Sequence, residues 1–253
     1  MNDLVAQLAQ VFGLAQAAIW QAGLVFLRVG AAVSLLPALG EQSVPRRVKL
    51  AAALAITLII LPSAPEATFT MAAVAAEVVA GLALGMGLRL LILGLQTAGT
   101  LAAQSVSLTQ MFGAVGPEPQ PIVANVLTLG ALVLFLTMGG LSRAVELLAL
   151  SYQVVPTGQP PDPSVLAEWG LKRVVWVFGL AFSLAAPFVL ASLLYNLALG
   201  AINRAMPAMM VSFIGAPALT LGGLALLALA APVMLEVWRG AMQQALAAPF
   251  GVP

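Results

Sequence analysis

Gln104 to Pro121 reads QSVSLTQMFGAVGPEPQP and lies between long apolar runs on both sides. How this stretch is read decides the fold. It carries Gln104, Ser105, Ser107, Thr109, Gln110 and Glu118, together with Gly113, Gly116, Pro117, Pro119 and Pro121. That is too polar and too rich in Gly and Pro for another span. Gly permits φ > 0 and Pro removes a backbone donor, so the run beyond Met111 is not expected to be helical. Irregular backbone between membrane segments must leave the lipid, or sit inside protein or a water-filled cavity. The residues alone allow an ordinary inter-helix loop or a loop folded back into a central path.

Outward from this stretch the chain is dominated by carbon. Of its 253 residues 62% are hydrophobic and 8% charged, against about 25% charged in soluble domains. This composition defines an integral membrane protein. A net charge of +1 gives no reason to expect a nucleic-acid partner. There is no Cys and no His. Disulfides, thiolate chemistry, Ser-His nucleophiles, most transition-metal sites and a His-Glu-x-x-His metalloprotease are thereby excluded, and no cofactor is expected. The opening MNDLVAQLAQ has no basic segment and the first cation is Arg28, so the first helix is expected to be retained rather than cleaved as a signal peptide.

About six long, partly Pro-broken helices are expected. The first apolar run, Leu4 to Leu36, contains no Pro; at 1.5 Å per residue it would reach about 50 Å, against a hydrocarbon core of about 30 Å. Pro37 and Gly40 end it. Ser43 is a candidate N-cap for a second helix with Pro45 in its first turn, closing before Pro62. A third run from Met71 to about Ala103 contains Gly81 and Gly85, a small-xxx-small pair that permits close helix approach. After Pro121 a fourth helix is expected to reach about Tyr152, with Arg143 and Glu146 paired on one face. Val155 to Pro163 is a Pro-rich polar loop. Ser164 is a candidate cap for a fifth helix, kinked at Pro187 and ending at Asn203, Arg204 and Pro207. The sixth run, about Pro207 to Ala247, is expected to be interrupted at Gly215-Ala216-Pro217 and at Pro232, and carries a Glu236–Arg239 pair.

Charges inside apolar runs are the candidate functional residues. A cation at a helix centre costs about 2.5–3.5 kcal/mol on insertion scales, so Arg28 should face protein or water, unless it snorkels from near the end of its span. Glu77 and Arg89 share the third run, too far apart to pair directly, so each needs a partner elsewhere or water. The distribution of Lys and Arg puts the N-terminus outside and the first, third and fifth connections inside; Lys172 and Arg173 oppose that assignment. Asp3 and Asp162 are the only aspartates, both near loops or ends, which argues against an intramembrane aspartyl protease and against an enzyme in general. A secondary transporter and a structural subunit of a larger membrane assembly both fit the composition.

The segment Ser43-Val44-Pro45-Arg46-Arg47-Val48-Lys49-Leu50, followed by an apolar helix closing at Leu61-Pro62, resembles the first signature of the flagellar export-gate protein family FliR. The virulence-system counterpart is the T subunit of the injectisome export apparatus. A second block is similar to the same family: Leu197-Ala198-Leu199-Gly200, then Asn203-Arg204, Pro207, Gly215 and Pro217. This chain departs from the family pattern at Ala208, Met210 and Ser212. Gly81-Leu82-Ala83-Leu84-Gly85 resembles the family's third helix, and length, helix count and loop order agree over nearly the whole chain.

The resemblance implies an all-α polytopic membrane protein with a helical-hairpin export-gate architecture. It implies a non-enzymatic subunit of the flagellar type III export gate, in the bacterial inner membrane at the flagellar basal body. One copy would assemble with P-type and Q-type subunits, with a B-type switch subunit packed outside, and the gate would pass unfolded protein substrates. Residues 1–157 would be P-like and 158–253 a Q-like kinked hairpin. By the same resemblance the loop 104–121 is a pore plug, with Met111, Phe112, Gly113, Ala114, Val115 and Gly116 in the path. Arg28, Glu77, Arg89, Arg204, Pro207 and Pro217 are expected in assembly contacts. The injectisome subunit and, behind it, a small-solute transporter are the alternatives.

Overall fold

The computed structural model describes residues 2–105, 122–205 and 211–251. The stretch 106–121, with the expected plug residues Met111 to Gly116, and Pro207 lie outside the described residues. Among the described residues the elements are helical: α1 Asn2–Leu35, α2 Arg46–Ile60, a 3-10 turn Leu61–Ser63, α3 Met71–Ser105, α4 Ile122–Thr137, α5 Gly140–Val154, α6 Pro163–Ala205 and α7 Val211–Ala247.

Four of these are long and apolar enough to cross a membrane, within α1, α3, α6 and α7, and the bent pair α4–α5 makes a fifth if it counts as one span. The second apolar run is not among them. α2 has 15 residues, about 22 Å at 1.5 Å each, short of a core of about 30 Å. The fourth run was expected to be one helix, and it is two. α4 and α5 meet at a bend of 69°, where Gly139 adopts φ 72°. A Cβ on Gly140 would stand 2.5 Å from the Phe135 ring and 2.6 Å from its carbonyl oxygen. Only Gly-Gly accommodates both the left-handed turn and the close approach.

Other local expectations are corrected. α7 runs unbroken past Gly215-Ala216-Pro217 and Pro232; α6 carries Pro187, the expected kink position, inside it. An interior Pro removes one backbone donor, which neighbouring groups in a membrane helix can compensate. Ser43 does not cap α2: the helix opens after Pro45, whose carbonyl accepts from the amides of Val48 and Lys49 at 2.9 and 3.3 Å. Ser164 does not cap α6 either. Asp162 Oδ1 accepts from Ser164 N at 2.8 Å, Ser164 Oγ at 2.6 Å and Val165 N at 3.2 Å, and a carboxylate is a stronger acceptor for these orphan donors. Arg143 and Glu146 are both exposed and form no ion pair with each other.

The chain separates into two compact units, one from Met1–Arg89, Phe135–Arg173 and Gln244–Pro253, the other from Leu90–Leu134 and Val174–Gln243. In the first, α2 packs on α1 and α5, and Leu24, Val25, Val29, Ala32 and Val33 form the buried stripe of α1, continued by Leu36 just past its end. α1 and α3 touch backbone to backbone. A Cβ on Gly81 would lie 2.1 Å from the Arg28 carbonyl oxygen, and one on Gly85 2.7 Å from that of Ala32. Both glycine pairs are spaced by one helical turn, so the small-xxx-small reading holds in register. In the second unit, Gly94 of α3 meets Val177 of α6, Gly99 meets Ala124 of α4, and Gly130 of α4 meets Leu235 of α7. The fully buried Trp238 donates from Nε1 to the Leu91 carbonyl at 2.9 Å.

Candidate functional site

The most polar point inside the first unit is built where α1 and α3 are closest. Glu77, Gly81 and Gly85 recur every four residues along one face of α3. Gly81 brings the α3 backbone against Arg28, and Glu77, one turn away, meets that arginine's side chain. Both side chains are wholly buried. Arg28 Nε donates to Glu77 Oε2 at 2.8 Å and Nη2 to Oε1 at 3.0 Å, a fork-on-fork pair. Nη1 donates to Ser151 Oγ at 3.1 Å and to the Val155 carbonyl at 2.9 Å. The Arg28 guanidinium carbon lies 3.9 Å from the centre of the Tyr152 ring, and Tyr152 Oη makes a long 3.5 Å contact to Glu77 Oε2. Finally the amide of Gly158, at φ 77°, donates to Glu77 Oε1 at 2.8 Å.

This arrangement is suited to holding rather than to reacting. Every Arg28 nitrogen has an acceptor, and the carboxylate takes donors from two further residues, so neither charge is offered to a ligand. It ties α1, α3, the end of α5 and the loop that follows. The net worth of a buried pair is small, because desolvation offsets attraction, but breaking it leaves one charge uncompensated and costs about 3–5 kcal/mol.

A second pair lies nearer the surface. Arg89 Nη1 bonds to Glu41 Oε1, linking α3 to the α1–α2 connection, and Lys49 Nζ donates to the Gly40 carbonyl in the same turn at 3.1 Å. That turn places Ala38 at φ 70°. Arg28 and Glu77 are therefore together, Arg89 is apart from both, and Arg204 is exposed in the last turn of α6. Its charge suits the negative end of the helix. Pro217 falls within α7, but its side chain is outside the described residues. Glu236 and Arg239 pair as expected, with Nε to Oε2 at 2.9 Å.

Sequence reasoning missed Glu41 as the partner of Arg89, and missed Ser151, Tyr152, Val155 and Gly158 around Arg28. One signal was present: the Glu77–Gly81–Gly85 repeat of four puts the carboxylate on the close-contact face. Nothing in the sequence marked the Val155 carbonyl.

Long apolar helices, with the Arg28–Glu77 pair closed inside them, define a polytopic α-helical membrane protein. Residues 19–245 match the model of bacterial export proteins, family 1, and the chain belongs to that family. It is 31% identical over 230 residues to flagellar biosynthetic protein FliR of Caulobacter vibrioides, covering 87% of this chain and 92% of the relative. Against the protein of the same name from Escherichia coli it is 31% identical over 218 residues, 82% of this chain and 83% of the relative. The FliR of Aquifex aeolicus is 32% identical over 160 residues, 62% of each.

Proposed function

We infer that the chain is a structural, non-enzymatic subunit of the flagellar type III protein export gate. The observation that carries this reading is the family match over residues 19–245, with relatives named flagellar biosynthetic protein FliR aligned over most of the chain. In this reading the protein sits in the bacterial inner membrane at the flagellar basal body. It assembles with P-type and Q-type subunits, a B-type subunit packs outside, and unfolded substrates pass along the path they enclose. Residues 1–157 serve as the P-like part and 158–253 as the Q-like hairpin. The segment 104–121 serves as the plug, and Arg204, Pro207 and Pro217 serve in assembly.

Helices longer than a bilayer requires support the reading, because an assembly can cover what lipid does not. The buried pair Arg28–Glu77 and the partly exposed pair Arg89–Glu41 support a framework role, since their charges are spent on tying α3 to α1 and to the α1–α2 connection. Deleting the gene and assaying flagellar proteins in the medium tests the function. Purifying the chain from native membranes and weighing its companions tests the partners. Loss of export, restored by the intact gene, is expected, together with co-purifying small membrane subunits. Undiminished export from the deletion strain, or a functional lone monomer, would overturn the reading.

A further inference from the structure

We propose that the outer face of α2 seats an apolar helix of another membrane subunit, and that this partner carries an Asp or Glu opposite Arg46 and Arg47. The proposal rests on the export-gate reading only for which subunit brings the helix.

α2 buries one face, with Ala53, Ile56, Thr57 and Ile60, where it packs on α1 and α5. Its other face is also apolar and is left open. Leu50, Leu54 and Leu58 recur every four residues, each half exposed or more, and make a ridge about 12 Å long. Ala51 and Ala55 run beside the ridge and are exposed. Val48 and Ile59 stand beyond them, again half exposed or more. A row of large side chains beside a furrow of small ones is the shape that the ridges and grooves of another helix fit. Contiguous exposed apolar surface of this kind marks an interaction site.

The charge at one end selects the occupant. Arg46 and Arg47 open the helix, and both are exposed. The first turn holds no acidic residue, and no side chain caps it. Two cations there oppose the helix dipole, whose positive end lies at the same place. Among the described residues, Glu41, Glu77, Glu168 and Glu236 are paired with Arg89, Arg28, Lys172 and Arg239, and no ion pair reaches Arg46 or Arg47. A carboxylate arriving from outside the chain meets two guanidinium groups and the positive helix end together. Acyl chains would cover the leucine ridge, but they bring no carboxylate and no ridge of their own for the alanine furrow.

The test uses the full chain in its native membranes, with Leu54 replaced by the photo-crosslinker p-benzoylphenylalanine. Adducts formed on irradiation are isolated, and the joined peptide is read by mass spectrometry. A small membrane subunit is expected, joined within an apolar helix that carries an Asp or Glu about two turns from the joined residue, the separation of Leu54 from Arg46 and Arg47. Charge reversal, Arg46→Glu with Arg47→Glu, puts anions where the dipole favours them. The chain's own membrane abundance should therefore stay at or above the wild-type level while the adduct falls several-fold. Reversing the partner's carboxylate to a cation should restore it. A purely structural role for the two arginines would move both readouts the same way. If the charge-reversed chain does not accumulate, Arg46→Gln with Arg47→Gln takes its place, with the same fall expected. Adducts with lipid alone or with this chain alone, a joined peptide without a carboxylate at that spacing, or an undiminished adduct after the charge change would overturn the proposal. An adduct of the expected kind with a protein from outside the export machinery would sink the gate reading and leave the docking face standing.

Discussion

Arg28 on α1 and Glu77 on α3 stand 49 positions apart in the chain and meet guanidinium to carboxylate at 2.8 and 3.0 Å, with no exposed side-chain surface on either. Removing one partner strands the other charge in a site closed to water. Glu77→Ala and Arg28→Ala are each expected to cost about 3–5 kcal/mol. The measurement is the midpoint of thermal unfolding in detergent, with membrane abundance as a second readout. The double variant Arg28→Met, Glu77→Leu should recover most of the loss, since packed apolar groups need no desolvation. Additive losses in the double variant would show that the two residues do not act as a pair.

Gly81 offers a sharper test of the α1–α3 contact. A Cβ there would sit 2.1 Å from the Arg28 carbonyl oxygen, whereas one on Gly23 would meet nothing within 4 Å. Gly81→Ala must therefore push two backbones apart, at a cost of at least about 1–3 kcal/mol. Gly23→Ala should be neutral or slightly stabilising, because Ala is the better helix former. Thermal midpoints of the two variants, measured side by side, check the contrast. Equal midpoints would mean that the close approach does not form.

Asp162 gives a pH dependence with a definite sign. The Ser164 hydroxyl, with the amides of Val165 and Ser164, holds its folded pKa below the ordinary value. Its contribution is therefore fully present above the unfolded pKa and is lost as pH falls through the folded one. Hydrogen exchange at the amides of Ser164 and Val165 should report this, with protection falling on acidification in the wild type and flat in Asp162→Asn. The same acid-induced loss in Asp162→Asn would point to another titrating group.

Much of this architecture was legible before the structure. The excess length of α1 and α3 followed from apolar runs without Pro, and the Gly81/Gly85 contact from a spacing of four. Glu77 and Arg89 were correctly denied to each other, because positions 12 apart in one helix cannot touch. Their true partners were not legible. Glu41 lies in a turn and Arg28 on another helix, and which faces meet is decided by tertiary packing. Breakers misled in both directions: Pro217 and Pro232 lie inside a continuous α7, while Gly139-Gly140 breaks a run read as one helix. A punctuating residue sets a propensity, and its neighbours decide the outcome. At Gly140 the neighbour is Phe135.

Arg204 closes α6 with an exposed cation just before Pro207, in a motif the family resemblance singles out. In the proposed gate it hydrogen-bonds carbonyls left free at the turn or pairs with a neighbouring subunit. Arg204→Ala should then lower the yield of the intact complex while leaving the chain's own membrane abundance near normal. Blue-native electrophoresis separates the two quantities. A wild-type yield of complex from this variant would reduce Arg204 to a solvated charge at a helix end.

The stretch from Met111 to Gly116 carries the strongest functional prediction of the proposed gate. A resting gate must block ions while keeping a chain-wide path available. A hydrophobic constriction does this by dewetting, without a charged residue. Met111 and Phe112 supply flexible and bulky apolar surface able to repack around a passing chain. In the proposed gate, Gly113 and Gly116 would supply the backbone freedom for the segment to move aside, and Pro117, Pro119 and Pro121 would stiffen its return. Glu118 would then sit toward the wet end, since burying it unpaired in the constriction would be costly. Deleting Gln110 to Gly116 should make membranes leak small ions or dyes, with export persisting at a reduced level. Conductance is read on complexes first shown to assemble, so that a folding defect cannot imitate a closed pore. If such complexes conduct no more than the wild type, the stretch is a connecting loop and the block lies elsewhere.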